Sequence, residues 1–194
     1  QPFTIAMISN DRFVNVILYK GVLPMSNQNK TFSVRKLAII GLLSALVFIF
    51  SWVQIPIGQI ARVHLGNVFC ALSGLLFGPL VGGLSSGFGS MLFDFTNPVY
   101  IAESWITFIT KFFIGFLAGL IAHRGGKVPT LHRDVLGAAV GSVTYIVLYL
   151  TKSFIFMTIE GQATGAIWSG LALKGATSLL NAVFAVLFSV LLAK

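Results

Sequence analysis

Three lysines, Lys111, Lys152 and Lys174, sit inside long apolar runs. An ammonium group at mid-membrane costs roughly 2.5–3.5 kcal/mol on insertion scales. Each is therefore expected to face a polar partner or a cavity. At about 1.5 Å of rise per residue they fall about 12, 8 and 12 Å below one common end of three different helices. Each also extends a polar or aromatic stripe: Thr107, Lys111 and Gly115; Tyr145, Tyr149 and Lys152; Lys174, Ser178 and Asn181. Residues three and four apart share a helix face. Three such faces turned inward would enclose ammonium donors and tyrosine rings, which is chemistry for holding a solute.

Alternatives stand beside this reading. Lys152 is shallow enough to snorkel to the surface. Lys174 has Glu103, Asp94 and Glu160 as acidic partners near the same rim. Tyr145 and Tyr149 suit core packing as well as ligand stacking. Trp105 and Trp168 fall where tryptophan is enriched at membrane interfaces; Trp168 is also a stacking candidate. The segment Gln54 to His64, with Arg62 and His64, is either a connector or a gate over the cavity mouth.

Machinery for catalysis is absent. The chain has no H-E-x-x-H, Walker A or G-x-S-x-G pattern. His64, His123 and His132 fall on both sides of the membrane, and Cys70 is the one cysteine. No metal site, cofactor or enzyme activity is expected, and no ATPase is encoded. Basic residues interleaved with lipid-length runs also argue against nucleic-acid binding.

The elements around these residues are helices. Of 194 residues, 56 % are hydrophobic and 9 % charged, and the mean hydropathy is +0.92. Soluble domains are about 25 % charged, so a water-soluble globule and a disordered chain are excluded. Apolar runs near 36–53, 65–78, 80–93, 104–122, 135–157 and 166–193 predict an all-α integral membrane protein with six transmembrane helices. The short second and third are separated by Gly78-Pro79. Lys30, Arg35, Lys36, Arg124, Lys127, Arg133 and Lys194 then share one side, so both termini are expected in the cytoplasm. Glycine pairs four apart, such as Gly115 and Gly119, are expected to pack helices closely. Ala38, Gly41 and Ala45 form a similar strip on the first helix. Residues 1–24 read as a leader outside the fold, with Met25 as the expected initiator of a membrane domain over 25–194.

Val63-His64-Leu65-Gly66-Asn67, Leu75-Leu76-Phe77-Gly78-Pro79, Gly82 to Ser90, Asp94, and Thr107 to Lys111 with Gly115 and Gly119 resemble the substrate-binding (S) components of energy-coupling factor (ECF) vitamin transporters. The likeness covers about residues 33–193 and points to the hydroxymethylpyrimidine, pyridoxine and riboflavin branches. It implies a multi-pass subunit of the bacterial cell membrane. Such a subunit binds a vitamin from outside and works with a transmembrane coupling (T) subunit and two cytoplasmic ATPases. It implies that Ala38, Gly41 and Ala45 match the family's Ala-x-x-x-Ala contact with the T subunit, with Gly41 replacing the first alanine. The expected substrate is hydroxymethylpyrimidine or a vitamin B6 form, with riboflavin or pantothenate as alternatives. A membrane-embedded enzyme or a stand-alone carrier is the competing class. Lys111 is the leading binding residue, followed by Asn67, Glu103, Lys152, Lys174, Tyr149 and Trp168.

Overall fold

A computed structural model describes residues 33–57, 61–126 and 130–194; the expected leader lies outside them. Among the described residues, six α-helices occupy the six apolar runs: α1 (Val34–Trp52), α2 (Gly66–Phe77), α3 (Pro79–Phe95), α4 (Ser104–Ala122), α5 (Leu131–Ile159) and α6 (Thr164–Leu192). Short 3-10 turns, Ile101–Glu103 and Arg124–Gly126, flank α4.

The break between α2 and α3 has a clear cause. Gly78 adopts φ 84°, a region that favours glycine. Pro79 opens α3 as its first residue, where its missing N–H costs nothing.

Four of the helices are long and apolar enough to cross a membrane: α1, α4 together with its leading turn, α5 and α6. At 12 residues, α2 is about 18 Å long, little more than half of a ~30 Å hydrocarbon core. The segment before it is not the featureless connector its composition suggested. Gln54–Ile57 (β1) and Ala61–His64 (β2) form an antiparallel hairpin that pairs Gln54 with His64 and Ile55 with Val63. The described residues thus form helices and one small hairpin, and that hairpin leads directly into the short helix.

Small residues bring α2, α3 and α4 into backbone contact. A Cβ on Gly115 would stand 2.3 Å from the Gly82 carbonyl oxygen, and one on Gly74 would stand 2.1 Å from that of Gly115. Gly137 and Gly141 seat α5 against the carbonyls of Ala118 and Ile114 in the same way. Lipid gives no hydrophobic drive for helix association, so close approach and interior hydrogen bonds must hold the bundle. Ser86 of α3 supplies such a bond by donating to the Cys70 carbonyl of α2, and Ser73 of α2 donates back to the Gly82 carbonyl of α3. This rigid block is the wall on which α4 presents Lys111.

Candidate functional site

Three polar stripes converge on one cavity of about 660 Å³. It lies at the end of the bundle that carries the hairpin, the Ile101–Glu103 turn and the α5–α6 connection. Its wall includes Thr107 and Lys111 from α4, Tyr145, Tyr149 and Lys152 from α5, and Lys174, Ser178 and Asn181 from α6. Gly115 completes the α4 stripe but packs against α3 instead.

Lys111 is the most enclosed of the three lysines, at 5 % exposed. Its ammonium donates to Asn67 Oδ1 on α2 and stands 4.2 Å from the Tyr145 ring centroid. Asn67 is buried behind it, at 3 % exposed. It therefore positions the ammonium from outside the cavity lining. Further polar groups on the wall come from Arg62 and His64 of β2, Asp94 of α3 and Glu103 of the 3-10 turn.

Tyr145 and Tyr149 stack, with centroids 5.6 Å apart and planes 14° apart. Lys174 lies 5.9 Å from the Tyr149 centroid, so each ring of the pair has one ammonium near it. Such cation–π contacts strengthen when desolvated.

Two expectations about the lysines are corrected. Lys174 pairs with none of Glu103, Asp94 and Glu160; its ammonium donates to Ser153 Oγ at 3.3 Å. Glu103 is taken by Lys152 instead. The 3-10 turn before α4 brings that carboxylate over α5, so Lys152 has a partner inside the protein and need not snorkel.

Trp168 is placed apart from these side chains. It is 63 % exposed, tilts against Phe154 and does not line the cavity. Lys174 follows it by six residues, which at 3.6 residues per turn leaves the two about 120° apart around α6. Trp105, at 61 % exposed, also faces outward.

Sequence reasoning about helix faces left out Arg62, His64, Asp94 and Tyr100 as wall residues. Arg62 stacks 4.5 Å over Tyr100 and donates to Gln54 Oε1 at 3.1 Å. One signal was present: Arg62 and His64 are two apart, the spacing of side chains on one strand face.

Ala38, Gly41 and Ala45 all face outward on α1. Gly41 and Ala45 lie in an apolar groove of about 680 Å³ between α1 and α3, with Phe48, Phe88 and Leu92 among its walls. Among the described residues no cluster of His, Cys, Asp and Glu could hold a metal ion.

The family model described as "ECF-type riboflavin transporter, S component" matches residues 31–194. The chain belongs to this S-component family. It is therefore a membrane protein with the substrate-binding role of an ECF transporter, a transport family and not an enzyme family. S components in general work with a T subunit and ATPases. A solved S component of a bacterial ECF transporter shares the fold, with a TM-score of 0.56 over 81 % of this chain and 92 % of that one at 18 % identity. An uncharacterized protein of Pyrococcus woesei is 28 % identical over 103 residues, which span 53 % of this chain and 66 % of that protein.

Proposed function

We propose that this S component captures a planar aromatic heterocycle bearing hydroxyl or hydroxymethyl groups, entering from the extracellular side. Hydroxymethylpyrimidine or a vitamin B6 form is the favoured solute. The observation that carries this reading is the stacked Tyr145–Tyr149 pair with Lys111 over one ring and Lys174 near the other. The rings offer faces to a heterocycle, and the ammonium groups donate to its ring nitrogens and hydroxyls. Riboflavin is the second reading, favoured by the family whose model matches. The volume of about 660 Å³ is mid-range for small-molecule sites and admits either ring system.

The deciding experiment is mass spectrometry of the compound released from purified protein, followed by titration with hydroxymethylpyrimidine, pyridoxine, riboflavin and pantothenate. A pyrimidine or pyridine supports the proposal. A flavin moves the assignment to the second reading, and an acidic vitamin overturns both.

The Lys152–Glu103 pair gives an independent check on solute charge. Glu103→Gln frees an ammonium at the cavity wall. A neutral heterocycle is expected to bind the variant equally or a few-fold more weakly, and an anionic solute a few-fold more tightly. Tighter binding in isothermal titration would exclude the neutral class.

The remaining architecture follows the same reading. Six crossings, with the hairpin extending the short α2, leave both ends of the fold in the cytoplasm. Arg35, Lys36, Arg124, Arg133 and Lys194 then share the cytoplasmic side of a bacterial plasma membrane. The groove around Gly41 and Ala45 serves as the seat for the T subunit, through which two ATPases supply the energy.

A further inference from the structure

Strand β2 has two edges, and among the described residues only one of them is paired with a strand. β1 covers one side of β2, with Ile55 opposite Val63 and Pro56 opposite Arg62. Among the described residues, the other side is met by a side chain from the middle of α6. The Asn181 carboxamide accepts from the His64 N–H at 2.9 Å and donates to the Arg62 carbonyl at 2.9 Å.

Antiparallel partners alternate between hydrogen-bonded and non-hydrogen-bonded pairs. Arg62 and His64 turn their backbone groups toward α6, so the ladder to β1 runs through Val63. Pro56 fits this register: it opposes Arg62, where an N–H toward β2 is not needed. One amide side chain thus makes the two bonds that a residue of a third strand would make.

Non-helical backbone at membrane depth is tolerated only where protein or a wet cavity satisfies it. Asn181 is 6 % exposed and does this for β2. It shares its helix face with Lys174 and Ser178, and Arg62 and His64 line the same cavity.

We infer that Asn181 is a positioning residue, a stand-in strand that holds the hairpin against α6, fixes Arg62 and His64 in the cavity wall and slows the escape of bound solute. The part concerning solute rests on the function proposed above; the clamp on the hairpin does not.

The test uses the full chain in nanodiscs, with Asn181→Leu, which fills similar volume without hydrogen bonds, and Asn181→Gln, which keeps the amide. Hydrogen–deuterium exchange is followed over 61–66, and dissociation is timed for hydroxymethylpyrimidine and riboflavin as probes. Asn181→Leu is expected to speed exchange at 61–66 by about tenfold or more while α2 and α4 stay protected. Residence of whichever probe binds shortens by a similar factor, and Asn181→Gln recovers most of both.

Unchanged exchange at 61–66 in Asn181→Leu would overturn the clamp, as would a uniform rise across all helices. Faster exchange with unchanged probe residence would overturn its role in retention. If the unmodified protein binds neither probe, the solute reading fails and the exchange result still decides the clamp. Should Asn181→Leu not fold, Asn181→Ser provides the same exchange comparison.

Discussion

Lys111→Met is expected to weaken solute binding by roughly 10- to 150-fold while leaving a folded protein. A hydrogen bond to a charged group is worth about 1.5–3 kcal/mol, and each 1.4 kcal/mol is about a factor of ten. Methionine has nearly the length of lysine and fills the same space beside Tyr145, so the loss reports the ammonium and not the packing. Two terms act on the unliganded fold with opposite sign. Removing a buried ammonium relieves a desolvation penalty of several kcal/mol. Leaving Asn67 Oδ1 without the donor it now has costs about 1–3 kcal/mol. The melting temperature of the empty protein should therefore hold or rise slightly while affinity collapses. Lys111→Arg should not rescue binding, because a planar guanidinium cannot replace a compact ammonium in so enclosed a site. Titration calorimetry and thermal unfolding on the same preparations check both halves. Retained affinity in Lys111→Met would place the solute elsewhere.

How far the site was legible depends on which element carries each residue. Lys111, Tyr145, Tyr149, Lys174, Ser178 and Asn181 were readable because helical periodicity is regular and charge in lipid is costly. Three residues at helical spacing define a face, and a lysine on it says that the face turns inward. The angular argument could also have separated Trp168 from the Lys174 face, since its offset around α6 follows from the sequence alone. The interfacial preference of tryptophan masked that offset.

Partner choice was less accessible. Whether Glu103 meets Lys152 or Lys174 depends on the rotation of α5 against α6 and on the 3-10 turn ahead of α4, and neither has a local sequence signal. The hairpin was the hardest element to foresee. Its strands have four residues each, Pro56 argues against a ladder, and half of the edge pairing of β2 comes from Asn181, far along the chain. Only tertiary contact makes that segment a strand.

The glycines give the sharpest contrast within one residue type. At Gly41 an added Cβ meets no atom within 4 Å, whereas at Gly115 it would stand 2.3 Å from the Gly82 carbonyl oxygen. Helix propensity favours replacing either one by about 0.5–1 kcal/mol. At Gly41 nothing in this chain opposes that gain, so Gly41→Leu should leave the isolated subunit as stable as before and binding solute normally. At Gly115 the obstruction is backbone, which cannot rotate aside. Even Gly115→Ala carries an overpacking cost of about 1–3 kcal/mol or more, enough to outweigh the propensity gain. Gly115→Leu is expected to abolish folded protein in detergent, seen as aggregation in size-exclusion chromatography. Gly41→Leu should fail in a different assay. If the groove beside Ala45 seats the T subunit, a leucine projecting into it should remove co-purification with that subunit and its ATPases while solute titration stays unchanged. Assembly that survives Gly41→Leu would move the docking surface off α1. A well-folded Gly115→Leu would mean that α3 and α4 do not approach at backbone distance, and the wall presenting Lys111 would have to be redrawn.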